Sequence, residues 1–158
     1  MMEFNLLGFA EHLGKLVIAE AIETEHMLTT AAEVIEKEAK AEIGHYQSAA
    51  GPFAAWAELA DSTKNDRVSK GFPENDPLLR TGEMRDSIEH TVKGREAHVG
   101  SDNDKAVWQE LGTGHIPPRS FLGGAAFRKA PEVAEKIGAD TVAYLTGASV
   151  YNGKMLIK

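Results

Sequence analysis

The sequence predicts an α+β fold: a long N-terminal helix or helix pair, a small antiparallel sheet built on a hairpin, and a C-terminal helix. Three observations carry this reading. Apolar residues recur at three- and four-residue steps over residues 5–43. Apolar and polar residues alternate through Ser87, Ile88, Glu89, His90, Thr91 and Val92, and the chain returns over residues 96–100 after Lys93, Gly94 and Arg95. A second helical period then runs from Phe121 to about Leu145. Helices separated along the chain from a hairpin imply α+β rather than a parallel sheet. The 158 residues suit a single domain over 1–158, divided as helical 5–44, irregular 45–86, hairpin 87–101, mainly helical 104–147 and a tail or hairpin over 148–158.

The first helical pattern carries Leu6, Phe9, Leu13, Leu16 and Val17, then Leu28, Ala31, Ala32, Ile35, Ala39 and Ile43. Gly14 and the threonines Thr24, Thr29 and Thr30 leave open whether this is one helix or two divided near Thr24. Glu33 with Lys37 and Glu36 with Lys40 lie four apart on the charged face, and Gly44 suits a C-cap. Residues 51–76 read as irregular, punctuated by Pro52, Pro73 and Pro77. Within them Trp56 and Leu59 are expected to anchor a helical turn, and residues 61–70 to form a mobile loop. Thr81 is an expected N-cap, with Gly82 at the first helical position.

Residues 104–111 predict a short helix with Val107, Trp108 and Leu111 on one side and Gly112 as its terminator. Pro117 and Pro118 then hold residues 114–118 extended. In the last helix Val133, Ile137, Val142 and Leu145 mark the expected buried side, and Pro131 predicts a kink or restart near Ala130. Asn152-Gly153 between apolar flanks is a strong hairpin signal, set against the tendency of termini to fray.

Charge narrows the function. Against 24 Asp and Glu stand 17 Lys and Arg, a formal net charge of -7. No basic stripe is present, so gripping phosphates is disfavoured, although a negative wall lets a duplex slide past. The absence of cysteine removes disulfides, thiolate nucleophiles and Cys-type zinc sites. Residues 1–10 lack a basic segment, and Glu11 and His12 interrupt the apolar run, so no signal peptide is expected. No stretch reaches the ~18 apolar residues of a membrane span.

Catalytic motifs are not found. There is no phosphate-binding loop, no dinucleotide fingerprint and no nucleophile elbow. Gly112, Thr113 and Gly114 read as a turn. The six histidines, His12, His26, His45, His90, His98 and His115, show no metal spacing, although His90 and His98 are candidates to face each other across the hairpin. No catalytic residue, cofactor or metal is therefore expected.

Four pieces of chain occur in a set order. They are Trp56 to Leu59 with Thr63; Pro77, Leu78, Leu79, Arg80, Thr81 and Gly82 followed by Met84, Arg85, Asp86, Ser87 and Ile88; Val99, Gly100 and Ser101 with Ala106 and Glu110, Leu111, Gly112 and Thr113; and Ile116, Pro117, Pro118, Arg119, Ser120, Phe121, Leu122 and Gly123 with Ala125 and Ala126. This series resembles the tail-completion, or virion-morphogenesis, proteins of tailed phages, also described as tail-to-head joining or neck proteins. The resemblance covers about residues 52–130. Met84 stands where leucine is usual and Ser120 where proline is usual.

The resemblance implies a non-enzymatic virion protein, assembled in the host cytoplasm, that works in a homo-oligomeric ring of expected six-fold symmetry. Its implied neighbours are the tail terminator and the head connector or stopper, with DNA only as passing cargo and no membrane. Ile116, Arg119, Phe121 and Leu122 are expected on or beside the subunit contact; the competing reading places Phe121 and Leu122 in the protomer core and gives Arg119 an internal ion pair. Other readings are a terminator or stopper ring of the same junction, a small hydrolase, and an adaptor using residues 5–43 as a free helix.

Overall fold

A computed structural model describes the backbone of residues 6–145, 150–151 and 154–155, and the side chains of residues 22–142. The elements in chain order are α1 (Leu6–Glu42), α2 (Asp61–Ser69), α3 (Glu83–Asp86), β1 (Ile88–Lys93), β2 (Glu96–Ser101), α4 (Asp104–Leu111), α5 (Leu122–Leu145), β3 (Val150–Tyr151) and β4 (Lys154–Met155). The fold is α+β, as the patterning predicts.

Helix α1 is a single helix of 37 residues with no break near Thr24. At 1.5 Å per residue it is about 55 Å long. It runs antiparallel to α5: Arg128 meets Glu42, Lys129 meets Glu38, and Thr141 meets Met27. The same helix packs against the β1–β2 hairpin. His90 on β1 hydrogen-bonds through Nδ1 to Glu36 on α1. Helix α1 is therefore part of the core from its middle onward, with Ala32 and Ala39 buried, as is Ile43 just after its end. The described side chains of this helix, from Ile22 onward, belong to the protomer's packing, against the reading of residues 5–43 as a free interaction helix.

The hairpin pairs Ile88 with Ser101, His90 with Val99 and Thr91 with His98. Directly opposed residues share a face, so His90 and His98 lie on opposite faces and do not meet. Ile88, His90 and Val92 point inward, while Glu89, Thr91 and Lys93 are exposed. The core consists of Ala39, Ile43, Trp56, Met84, Ile88, Ala106, Phe121 and Ala125, with Tyr46, Leu78, Leu79, Val99 and Leu122 packed against it. Every element from α1 to α5 except α2 contributes a side chain to that list.

Several expectations are corrected. Residues 61–70, expected as a mobile loop, are mostly the helix α2. Trp56 and Leu59 lie in extended chain rather than a helical turn. They are held by the Trp56 N–H donating to the Gln47 carbonyl and the Leu59 N–H donating to the Tyr46 hydroxyl. The N-cap of α3 is Gly82 in the left-handed region, one residue later than expected, with Thr81 Oγ1 accepting from the Glu83 N–H.

Helix α5 passes through Pro131 without a restart. Its stripe toward α1 follows Val133, Ile137 and Thr141, and Val142, one position further round, is exposed. The pairing expected around Asn152-Gly153 is present as β3 against β4, with Val150 opposite Met155. Asn152 and Gly153 themselves, and the whole side chain of Leu145, lie outside the described residues.

Candidate functional site

The chain from α4 to the start of α5 is built as one unit. Asn103 caps α4 by accepting from the Lys105 N–H. Gly112 ends the helix at φ 74, and a Cβ there would stand 2.9 Å from the Ile116 oxygen and from Pro118, so only glycine fits. Thr113 then closes the turn: its hydroxyl accepts from the N–H groups of His115 and Ile116, and its own N–H donates to the Ile116 carbonyl. Glu110 reaches across to the beginning of α5. Its Oε2 accepts from the N–H groups of Phe121 and Leu122, and Oε1 from that of Gly123, at 2.8–2.9 Å. A helix start leaves such donors without partners, and a carboxylate there also meets the positive end of the helix dipole.

Two arginines hold the neighbouring loops. Arg119, 4% exposed, donates from Nε to the Ala57 carbonyl and from Nη2 to the Glu58 carbonyl. Arg67 of α2, 5% exposed, donates from Nε to the Pro73 carbonyl and from Nη2 to those of Asp76 and Leu79. Neither guanidinium has a carboxylate partner among the described residues. Burial lowers the Arg119 pKa from its ordinary value, since desolvation penalises the charged form.

Between α2, the 77–82 loop and α4 lies a cleft of about 320 Å³. Arg67 and Arg119 line it, with Leu59, Leu78, Met84 and Trp108 forming apolar wall. At its edge Arg80 pairs with Asp66 and Lys105 pairs with Glu83. Leu78 has φ 62, a conformation that a leucine adopts only when its surroundings enforce it. The side-chain oxygen Oε1 of Gln109, another lining residue, is buried with no hydrogen-bond partner.

Beside the cleft, the apolar side of α4 faces solvent: Val107 is 54% exposed, Trp108 50% and Leu111 74%. Its inward residue is Ala106. Phe127 and Val142 on α5 and Val68 on α2 are the other exposed large hydrophobics among the described residues.

No protein-family model, curated protein or solved structure matches the chain. What the site can do therefore rests on its own geometry.

Of the four residues expected at a subunit contact, Phe121 is fully buried in the core, and Arg119 is spent on internal carbonyls. Both belong to the protomer's internal packing, as the competing reading has it, with carbonyls rather than an ion pair for Arg119. Leu122 is half-buried against the core, and Ile116 is half-buried in the turn after α4. The sequence reading missed Arg67, a lone arginine in a charged stretch, which carries no pattern signal. It found the apolar side of α4 but not its direction. A short helix can turn such a side in or out, and the neighbouring packing decides which.

A third buried charge sits away from the cleft. Glu42, at the end of α1, receives Arg128 Nη1 at 2.5 Å on Oε1, while Oε2 is buried without a partner and faces Gly124 of α5. Burial pushes its pKa up to about 7, against the opposing attraction of Arg128. This carboxyl fastens α1 to α5 and does not line the cleft. Among the described residues no helix is long and apolar enough to cross a membrane.

Proposed function

We propose that the protein is a structural subunit of the head–tail junction of a tailed phage, a tail-completion or neck protein that acts as a homo-oligomeric ring around passing DNA. The observation that carries this reading is the exposed apolar face of α4, formed by Val107, Trp108 and Leu111. A charged, net -7 protein that turns a tryptophan, a leucine and a valine of one short helix to solvent has a surface suited to another protein. Aromatic side chains of this kind dominate the energetics of interfaces.

The resemblance of residues 52–130 to the neck-protein pattern supports the same reading. Its marker residues have construction roles here: Glu110 caps α5, Gly112 and Thr113 make the turn, and Arg119 and Phe121 anchor the following segment. Together they fix the position of α4 and its outward face. A ring needs two different faces on each subunit. The outer side of α5, with Phe127 and Val142 exposed, offers a second one. The proposal carries no catalytic step, no cofactor and no metal. Its partners are other copies in a ring, six in the expected arrangement, then the tail terminator and the head connector or stopper. Its place is the virion neck, with assembly in the host cytoplasm.

Light scattering of the purified protein, alone and mixed with tail tubes or connector particles, tests this. A ring-sized mass, or co-elution with one particle type, is expected, and the particle bound separates tail completion from a terminator or stopper role. A mass that stays near 17.1 kDa in every mixture overturns the proposal.

A further inference from the structure

The cleft beside α4 combines features that one kind of ligand satisfies together. Arg67 and Arg119 bring two buried guanidiniums to its lining, and Arg80 and Lys105 add two exposed cations, against Glu83 as the one carboxylate among the lining residues. This is a locally cationic spot on an acidic protein. The wall beside those charges is apolar, through Leu59, Leu78, Met84 and the half-exposed Trp108. Leu78 holds its part of the wall in a left-handed backbone conformation.

We infer that this cleft binds an acidic peptide segment of a partner protein, in which an apolar side chain precedes a carboxylate. The apolar side chain fits against Trp108 and Met84. The carboxylate meets Arg80 and Lys105, in competition with Asp66 and Glu83, and lies in the field of the buried arginines. Phosphate groups fit less well. The donors of Arg67 and Arg119 are largely directed at backbone carbonyls, and a polyanion gains nothing from the apolar wall. The inference rests on the assembly reading for its premise that the partner is a protein, and it names the chemistry of that partner.

The test is an NMR titration of the full chain with a short capped peptide containing leucine followed by aspartate. The indole N–H of Trp108 is the reporter, and that of the buried Trp56 is the internal control. Saturable movement of the Trp108 signal alone is expected. Binding should weaken up to about 5-fold when asparagine replaces aspartate, and similarly in the double variant Arg80→Gln, Lys105→Gln, whose positions are exposed enough to leave folding intact.

Equal binding of the aspartate and asparagine peptides overturns the inference. So does an equal, saturable response to inorganic phosphate, which makes the cleft an anion site, or to a short DNA duplex. Self-association that disappears in the double variant also overturns it, in favour of a second copy as occupant. Ring formation by light scattering without any peptide response sinks this inference and leaves the ring standing. A peptide response from a protein that stays monomeric in every mixture supports the inference and removes the ring.

Discussion

Glu110 links two helices through one side chain. Its carboxylate satisfies three N–H groups at the start of α5, and its backbone carbonyl accepts from Ser120 Oγ. Replacing it with alanine strands those donors next to the fully buried Phe121. Glu110→Ala is expected to cost about 2 kcal/mol in chemical denaturation, in the range for a lost cap with charge-assisted bonds. A loss within about 0.5 kcal/mol would show that water replaces the carboxylate without penalty.

Glu42 tests buried charge at the same scale. Its folded-state pKa of about 7 lies above the ordinary 4.5, because burial outweighs the help of Arg128. The folded state thus holds the Glu42 proton more tightly than the unfolded chain. The resulting stabilisation is complete below the unfolded value and is lost as pH rises through about 7. Glu42→Gln stays neutral throughout. The stability of the natural protein minus that of Glu42→Gln is therefore expected to fall by about 3 kcal/mol between about pH 4 and about pH 8. A difference that does not change with pH would mean that Glu42 ionises as it does in water.

Helices α2 and α4 show how an element can be held without an apolar stripe facing inward. The sequence of α2, with Asp61, Lys64, Asp66 and Lys70 around it, gives no helical hydrophobic period. Its anchor is Arg67, around which the 73–79 segment wraps its carbonyls. Arg67→Ala is expected to destabilise by about 3 kcal/mol, since three carbonyl acceptors lose a buried, charged donor, and to open residues 70–80 to limited proteolysis. Helix α4 is the converse case. Its most exposed apolar residue, Leu111, is little covered by the protomer, so Leu111→Ser is expected to change stability by no more than about 0.5 kcal/mol while weakening the ring-sized species in light scattering. A large loss of stability with assembly intact would return that face to the protomer.

Across the whole molecule, α1 is the element on which the rest is assembled. It packs on both α5 and the hairpin, and it supplies Ala39 to the core, with Ile43 following directly after it. A chain beginning at Gly44 is therefore expected not to fold, seen as loss of near-ultraviolet circular dichroism. Retention of that signal would restore the reading of α1 as a separable adaptor. The acidic balance acts at this scale too: in the ring proposed above, subunits each carrying -7 would repel a duplex on net charge, which would suit transit rather than retention.

Local chemistry and periodicity made the long helices α1 and α5, the hairpin and the ends of α4 legible in the sequence. Those features depend on neighbours along the chain, such as Asn103 before α4, Gly112 after it, and the alternation around Ile88. The helix α2, the direction of the apolar side of α4 and the interior places of Arg119 and Phe121 were decided only by the tertiary structure. Each depends on groups distant in sequence: Arg119 on carbonyls at residues 57 and 58, and Phe121 on a core drawn from α1 to α5. The cleft belongs to the same class. Arg67, Leu78, Trp108 and Arg119 become one site only when the loops that carry them fold against one another, and no spacing along a chain encodes that meeting.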